Sequence, residues 1–224
     1  MRYLLIALLA FTLAPAAEKE PSPGSEKSRW PIKTSVPKGT DPSKPGKLIK
    51  LDDFLTMKPA ASSLTKEYWD KLFPKIEGAP AADGDIVRTQ GYMRLVAQED
   101  DGDFHIQITT KADTTDNCLV VEVPDADPKF ITSPEVLAAA KDVRDFVIKN
   151  ILHGQTPKLG SVHVLTGQAY VEVKGQLFFD GEHEGATEKG TYRGKQISKG
   201  VQLPSKTTWE IHPITSMKFA AKPQ

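Results

Sequence analysis

Hydrophobic and polar residues alternate along three consecutive stretches in the middle of the chain, over residues 86–98, 104–108 and 119–123. A period of two places successive side chains on opposite faces of an extended backbone, which is the pattern of a half-buried β-strand. The segment Glu99-Asp100-Asp101-Gly102 separates the first two stretches and is typical of a hairpin turn. We therefore expect three successive antiparallel strands.

The period then changes to that of a helix. Ser133 and Pro134 suit the N-cap and the first helical position, and His153-Gly154 suits the helix end. Apolar residues recur between them on one helical face, at Val136, Ala140, Val143, Val147 and Ile151. This pattern predicts one amphipathic helix.

Two further stretches of β-pattern follow the helix. The first is a predicted pair of strands, 162–173 and 176–179, around Lys174-Gly175, and the second is a single strand over 209–219. Three strands, a helix and then further strands is the order of the OB-fold, a five-stranded Greek-key barrel with one helix between strands three and four. We therefore expect a mainly β protein with this barrel over residues 85–221.

The first sixteen residues have the pattern of a secretory signal peptide. Arg2 precedes an apolar run over residues 3–13, and Ala14-Pro15-Ala16 offers the small residues that cleavage needs. The run is shorter than the roughly 20 residues that span a membrane. We expect residues 1–16 to be removed, the mature chain to have no membrane span, and the protein to be periplasmic or extracellular.

The composition changes twice between the signal peptide and the barrel. Residues 17–47 are rich in proline, serine, glycine and charge, and their small apolar surface predicts a flexible tail. Residues 48–84 hold two apolar clusters, the second at helical spacing after Ser62 or Ser63, and end in an Ala/Pro/Gly-rich linker. This part predicts a helical extension that packs on the barrel.

The overall charge is balanced, with 29 basic and 29 acidic residues, so no global field draws the protein to nucleic acid. A local basic patch is predicted in the glycine-rich loop before the last strand, where Tyr192 accompanies four cationic side chains: Lys189, Arg193, Lys195 and Lys199. In an OB-fold this loop flanks the ligand groove and suits an anionic polymer such as nucleic acid or glycan. The alternative is a solvated mobile loop.

Several polar side chains share the strand face that points away from the predicted core. The alternation places four of them on this face: His105, Glu122, Glu210 and His212. With Asp103, which lies two residues before His105, they form a candidate polar cluster. Two imidazoles and several carboxylates suit a divalent metal ion or a His/Glu acid–base pair. The alternative is a set of exposed cross-strand pairs without chemistry.

Two short motifs resemble the secreted thermonuclease family, which itself has an OB-fold. They are the turn Asp101-Gly102-Asp103-Phe104 and the strand end LVVEVPD over residues 119–125. In that family the equivalent turn and strand end supply calcium-binding carboxylates and a glutamate that helps to activate water. The resemblance implies calcium-ligand positions for Asp103 and Glu122 and the glutamate position for Asp125, which joins Asp125 to the candidate cluster.

The two arginines that hold the scissile phosphate in the thermonuclease family are missing. Their positions fall on Asn117 and Thr166. Phosphodiester cleavage develops negative charge that such preorganised cations stabilise. We therefore expect a binding protein rather than a nuclease.

A second resemblance covers the C-terminal half. The segments GQLFFD over residues 175–180 and WEIHPIT over residues 209–215 resemble those of a group of predicted secreted bacterial proteins with no assigned chemistry. Three functions therefore stay open at this point: an exported OB-fold protein that binds an anionic polymer, a metal-dependent phosphodiesterase, and a structural component of the envelope.

Overall fold

The structure is a computed structural model that describes residues 29–57, 71–73, 79–166, 169–183 and 194–223. Its elements in chain order are α1 (Trp30–Lys33), β1 (Lys47–Leu48), α2 (Leu51–Leu55), β2 (Ile86–Gln98), β3 (Phe104–Thr109), β4 (Leu119–Val123), α3 (Pro134–Phe146), β5 (Val162–Val164), β6 (Tyr170–Phe179), β7 (Gln196–Ser198), β8 (Val201–Gln202) and β9 (Trp209–Phe219). The predicted signal peptide and the predicted helix after Ser62 or Ser63 lie outside the described residues.

Five strands close a barrel in the order that the sequence predicts. β2, β3 and β4 form an antiparallel meander, and β4 then pairs in parallel with β9. β9 pairs with β6, and β6 returns to β2, so that the barrel closes. The expectation of a mainly β, OB-fold-like barrel with a helix after its third strand is confirmed.

The barrel interior is apolar, because alternate residues of each strand point into it. Each of the five strands contributes a fully buried side chain to one core cluster: Val96, Ile106, Val121, Val173 and Ile211. The residues between these positions face outward. The alternation that predicted the strands therefore also separates the core from the polar face described below.

Helix α3 begins and ends as predicted. The Ser133 side chain accepts a hydrogen bond from the Val136 amide, and Pro134 is the first helical residue. A π-helical turn, Val147–Ile151, continues the helix, which ends before His153 and Gly154, both at positive φ. The apolar face packs against β9 and joins the core. Within the described ranges, no helix combines the length and the apolar character that a membrane crossing requires.

The hairpin predicted at Lys174-Gly175 is wrong, because β6 runs unbroken through both residues. Gly175 lies where the register between the paired strands β6 and β9 shifts. A Cβ atom at this position would lie 2.6 Å from Ile211 Cγ2 and still closer to the Pro213 carbonyl oxygen. The glycine therefore marks a close approach of two backbones rather than a turn.

The described part of the predicted flexible tail, residues 29–47, differs from the prediction because it carries buried side chains. The Arg29 guanidinium lies 2.6 Å from Asp83 Oδ2 and donates to the carbonyl oxygens of Phe179 and Lys71. This stretch is poor in apolar residues, which is why a flexible tail was expected. It is instead held to the rest of the protein by the polar contacts of Arg29. We call residues 29–36 the N-terminal cover.

Replacement of Arg29 tests this attachment. Arg29→Leu leaves the buried Asp83 carboxylate without its cation, so we expect the free energy of unfolding to fall by about 3–5 kcal/mol. Arg88 is the matched control, because its ion pair with Glu172 is partly exposed. Arg88→Leu should cost at most about 1 kcal/mol. Urea denaturation measures both values, and equal losses would contradict a specific role for Arg29.

Candidate functional site

Strand register brings the predicted polar residues together on the outer face of the barrel. His105 on β3 lies directly opposite Glu122 on β4. The parallel pairing of Val121 with Ile211 sets Glu122 beside the two outward residues of β9 that flank Ile211. Those residues are Glu210 and His212.

The side chains form a continuous chain of close contacts. His105 Nδ1 lies 2.8 Å from Glu122 Oε1, and the other oxygen of Glu122, Oε2, lies 3.2 Å from His212 Nδ1. His212 Nδ1 is also 3.2 Å from Glu210 Oε1, and His212 Nε2 is 3.2 Å from Asp103 Oδ2. We call these five residues the polar cluster. The expectation that they meet in space is in keeping with these distances.

The alternative of exposed cross-strand pairs is wrong, because the polar cluster is buried. Asp103, Glu210 and His212 are fully inaccessible, and His105 and Glu122 are 5% and 8% exposed. The face points away from the barrel core, as the alternation predicts, but two other parts of the chain lie over it.

The N-terminal cover lies over one side of this face. Gln176 Nε2 donates to the Ile32 carbonyl oxygen, and it also donates to the carbonyl oxygen of His212. The Lys33 ammonium lies 5.8 Å from the centre of the Phe178 ring, which in turn packs 5.6 Å from the His212 ring. The cover therefore buries a cationic side chain beside the polar cluster.

Residues 194–208 lie over the other side. Gln107, an outward residue of β3, donates from Nε2 to the Leu203 carbonyl oxygen and accepts from the Lys195 amide. The Cys118 amide donates to the Pro204 carbonyl oxygen, and the Cys118 thiol is buried. The outer face of β3 and β4 is therefore occupied by the chain itself.

The charges of the polar cluster are strongly coupled. Burial opposes a charge on the His212 imidazole, but Asp103, Glu122 and Glu210 outweigh burial and raise its pKa well above 6.5. Burial likewise opposes the Glu122 carboxylate, yet its contacts with both histidines lower its pKa well below 4.5. The nearby carboxylates also outweigh burial at Lys33 and raise its pKa above its ordinary value.

Three ligand-type atoms of the polar cluster have no hydrogen-bond partner among the described residues. They are Asp103 Oδ2, His105 Nε2 and His212 Nε2, all buried. Asp103 Oδ2 and His212 Nε2 lie 3.2 Å apart, an ion-pair contact that helps to raise the pKa of His212. An unsatisfied buried polar atom costs about 1–3 kcal/mol. The contact between Asp103 Oδ2 and His212 Nε2 reduces this cost for two of the three atoms.

Two groups of three side chains have the geometry to hold a metal ion. The first is Asp103, Glu122 and His212, and the second is Glu99, His105 and Glu122. Within each group the ligand atoms lie within 4.8 Å of one another. The groups share Glu122, and together they include four residues of the polar cluster.

Asp125 stands apart from the polar cluster. Its amide donates to Asp103 Oδ1 at 2.8 Å, whereas its carboxylate lies 3.7 Å from the Arg144 guanidinium. Burial raises the pKa of Asp125, against the effect of Arg144. Asp125 therefore positions Asp103 through its backbone, and its carboxylate belongs to neither group of potential ligands.

The predicted anion-binding loop is described only in part. Lys189, Tyr192 and Arg193 lie outside the described residues. Lys199 is exposed, whereas the Lys195 ammonium lies 2.7 Å from Glu99 Oε1. Lys195 therefore forms an ion pair with Glu99, which lies in the turn between β2 and β3.

The candidate cluster predicted from the sequence did not include Lys33, Glu99 or Asp101, although Asp101 belongs to the turn that resembles the thermonuclease family. Glu99 and Asp101 lie in the predicted hairpin, and a turn rich in acids just before an outward histidine was a usable signal. Lys33 had no such signal, because only the folded chain brings it to β6 and β9. The position of Lys33 depends on contacts between residues that are far apart in the sequence, such as Ile32 and Gln176, which are separated by 144 positions.

No family model matches the chain, and neither a curated protein nor a solved structure does. The resemblance to the thermonuclease family therefore stays a prediction from short motifs.

Asp101 gives a test of the electrostatics. Burial and the nearby carboxylates of Asp103 and Glu122 raise its pKa from 3.8 to about 6. The folded state then binds this proton more tightly than the unfolded state, so stability falls as the pH rises from about 4 to about 6. We expect Asp101→Asn to stabilise the protein above pH 6, by roughly 2–3 kcal/mol, and to have little effect at pH 4.

Urea denaturation of both proteins between pH 4 and pH 8 measures this difference. Asparagine keeps the side-chain oxygen that accepts from the Asp103 amide, so the turn itself is preserved. A difference that does not vary with pH would contradict the explanation.

Proposed function

We propose that the protein binds a divalent transition-metal ion through Asp103, Glu122 and His212. The observation that carries this proposal is the 3.2 Å distance between two buried ligand atoms, Asp103 Oδ2 and His212 Nε2, neither of which has another hydrogen-bond partner among the described residues. Two ligands of a tetrahedral ion at about 2.0–2.1 Å are about 3.3 Å apart. A metal ion between the two atoms satisfies both.

The donor set favours some ions over others. Imidazole nitrogen with carboxylate oxygens suits zinc, manganese and similar ions, whereas calcium and magnesium prefer oxygen ligands alone. The described ligands contain no thiolate, which soft ions prefer. We therefore expect zinc or manganese to bind more tightly than calcium.

The neighbours of the three ligands support the same function. When Nε2 of a histidine binds a metal, its other nitrogen donates to a carboxylate in many metalloproteins. His212 Nδ1 has this arrangement with Glu210, and Glu122 has His105 on its other oxygen. These contacts fix the orientation of the ligands before a metal arrives.

We favour metal binding over the anionic polymer because of what covers the barrel face. The N-terminal cover and residues 194–208 occupy the outer face of the strands where an OB-fold ligand groove lies. Lys195 is engaged with Glu99. Binding of an anionic polymer, phosphodiesterase activity, a structural role in the envelope and export all stay predictions.

Metal titration tests the proposal. Chelator-treated protein is titrated with zinc, manganese, calcium and magnesium by calorimetry, and its thermal midpoint is recorded. At a free metal concentration of 100 times Kd, we expect about 2.7 kcal/mol of stabilisation and a midpoint higher by about 5–10 °C. His212→Gln should abolish both effects. His163→Gln is the control, because His163 lies on β5 outside the polar cluster.

If His212 is instead a permanently protonated partner of three carboxylates, no metal will bind. The absence of heat and of a midpoint shift for all four ions would overturn the proposal. Equal metal binding by the His212→Gln and wild-type proteins would show that His212 is not a ligand and that the metal binds at another site.

Lys33 provides an independent test with the opposite sign. Its buried ammonium lies in the field of the same carboxylates and competes with a metal ion for them. Lys33→Met should therefore increase zinc affinity by about fivefold or more, since removal of one nearby cation is worth about 1 kcal/mol even under strong screening. Lys44→Met, an exposed control, should leave the affinity unchanged. Weaker binding by Lys33→Met would contradict a competition between the ammonium and the metal.

A further inference from the structure

The N-terminal cover brings the buried side chain of Lys33 to the polar cluster. Lys33 is 8% exposed, and its ammonium lies 5.8 Å from the centre of the Phe178 ring. Phe178 lies directly opposite Glu210 in the β6–β9 register, and its ring packs 5.6 Å from the His212 ring. The end of α1 therefore places a positive charge beside the proposed metal site.

The buried position of Lys33 depends on the summed charge of the site. Within the described part of the chain its ammonium forms no hydrogen bond and no direct ion pair, and it is held in the field of four carboxylates: Glu122, Asp180, Glu210 and Asp103. Three of these four belong to the polar cluster. An ammonium that leaves water is stable only where nearby negative charge compensates it. Anything that neutralises these carboxylates therefore weakens the hold on Lys33.

We propose that a divalent ion bound at the polar cluster loosens the N-terminal cover, so that metal binding regulates access to the outer barrel face. This inference rests on the proposed function, since it concerns the regulation of that same site. An ion held by Asp103, Glu122 and His212 uses two of the carboxylates that hold Lys33 and adds positive charge beside its ammonium. Lys33 then favours solvent, and the cover opens more often.

The other contacts of the cover involve none of the three proposed ligands through their side chains. Arg29 pairs with Asp83, which keeps the beginning of the cover attached. Ile32 accepts a hydrogen bond from Gln176 through its carbonyl oxygen. Residues 30–36 can therefore move away from the barrel face while the barrel and the Arg29 anchor stay in place.

Thermodynamic linkage sets the size of the effect, because coupling between two equilibria is reciprocal. Opening of the cover takes the Lys33 ammonium into solvent and so affects the ion as Lys33→Met does, with about fivefold tighter metal binding. The same factor applies in the other direction. Saturation with metal should therefore raise the opening equilibrium of the cover about fivefold.

Hydrogen exchange of the full chain tests the proposal. Chelator-treated protein is compared with Mn²⁺-saturated protein at one pH, and mass spectrometry follows the amides of residues 32–35, which all donate to carbonyl oxygens within the cover. Their exchange rate follows the opening equilibrium, so Mn²⁺ should raise it about fivefold. Lys33→Met should lose this effect of Mn²⁺. Lys44→Met, an exposed control, should retain it.

Calorimetry on the same samples separates the two proposals. Bound Mn²⁺ with unchanged or slower exchange at residues 32–35 overturns the regulation and leaves the metal site, whereas no bound Mn²⁺ overturns both. Faster exchange that persists in Lys33→Met overturns the role of Lys33.

Trypsin gives a second measurement on the wild type, which covers the case that Lys33→Met fails to fold. Trypsin cleaves after lysine, and Lys33 is buried while the cover is closed. Mn²⁺ should therefore speed cleavage after Lys33 about fivefold, since cleavage follows the population of the open form. The activity of trypsin on a small peptide with and without Mn²⁺ is the control. Equal or slower cleavage in the Mn²⁺-bound protein overturns the proposal.

Discussion

Charged groups that leave water must be compensated where they lie, because a buried carboxylate without a partner costs several kcal/mol. The outer face of β3, β4 and β9 is built around this constraint. The parallel pairing of Val121 with Ile211 sets Glu122 of β4 between two histidines. His105 contacts it from β3, and His212 contacts it from β9. The N-terminal cover and residues 194–208 can therefore bury this face only because the barrel register first pairs its charges.

The sequence was sufficient for the barrel and for the residues that meet on it. Period-two alternation predicts β2, β3, β4 and β9, whereas it divides β6 into two strands. The same alternation places His105, Glu122 and His212 on one face. It did not predict burial of that face, because local patterns describe a strand and not what packs over it. Gly175 shows the same limit, since a glycine at a close approach of two paired strands has the same local pattern as a glycine in a turn.

The candidate site lies on the face where an OB-fold has its ligand groove, and segments of the chain itself cover that face. The polar side chains beneath are buried, and two groups of them have ligand atoms close enough to hold a metal ion. Asp103 and Glu122 occupy the calcium-ligand positions implied by the thermonuclease resemblance, while His212 comes from β9. Its imidazole changes the class of metal that the donor set favours.

The N-terminal cover is attached by side chains and single hydrogen bonds rather than by a strand ladder. Arg29 holds it at Asp83, and Gln176 holds it at Ile32. Such a segment opens locally at a lower free energy than the barrel unfolds. If an ion binds beneath the cover as proposed, its exchange with solvent depends on how often the cover opens.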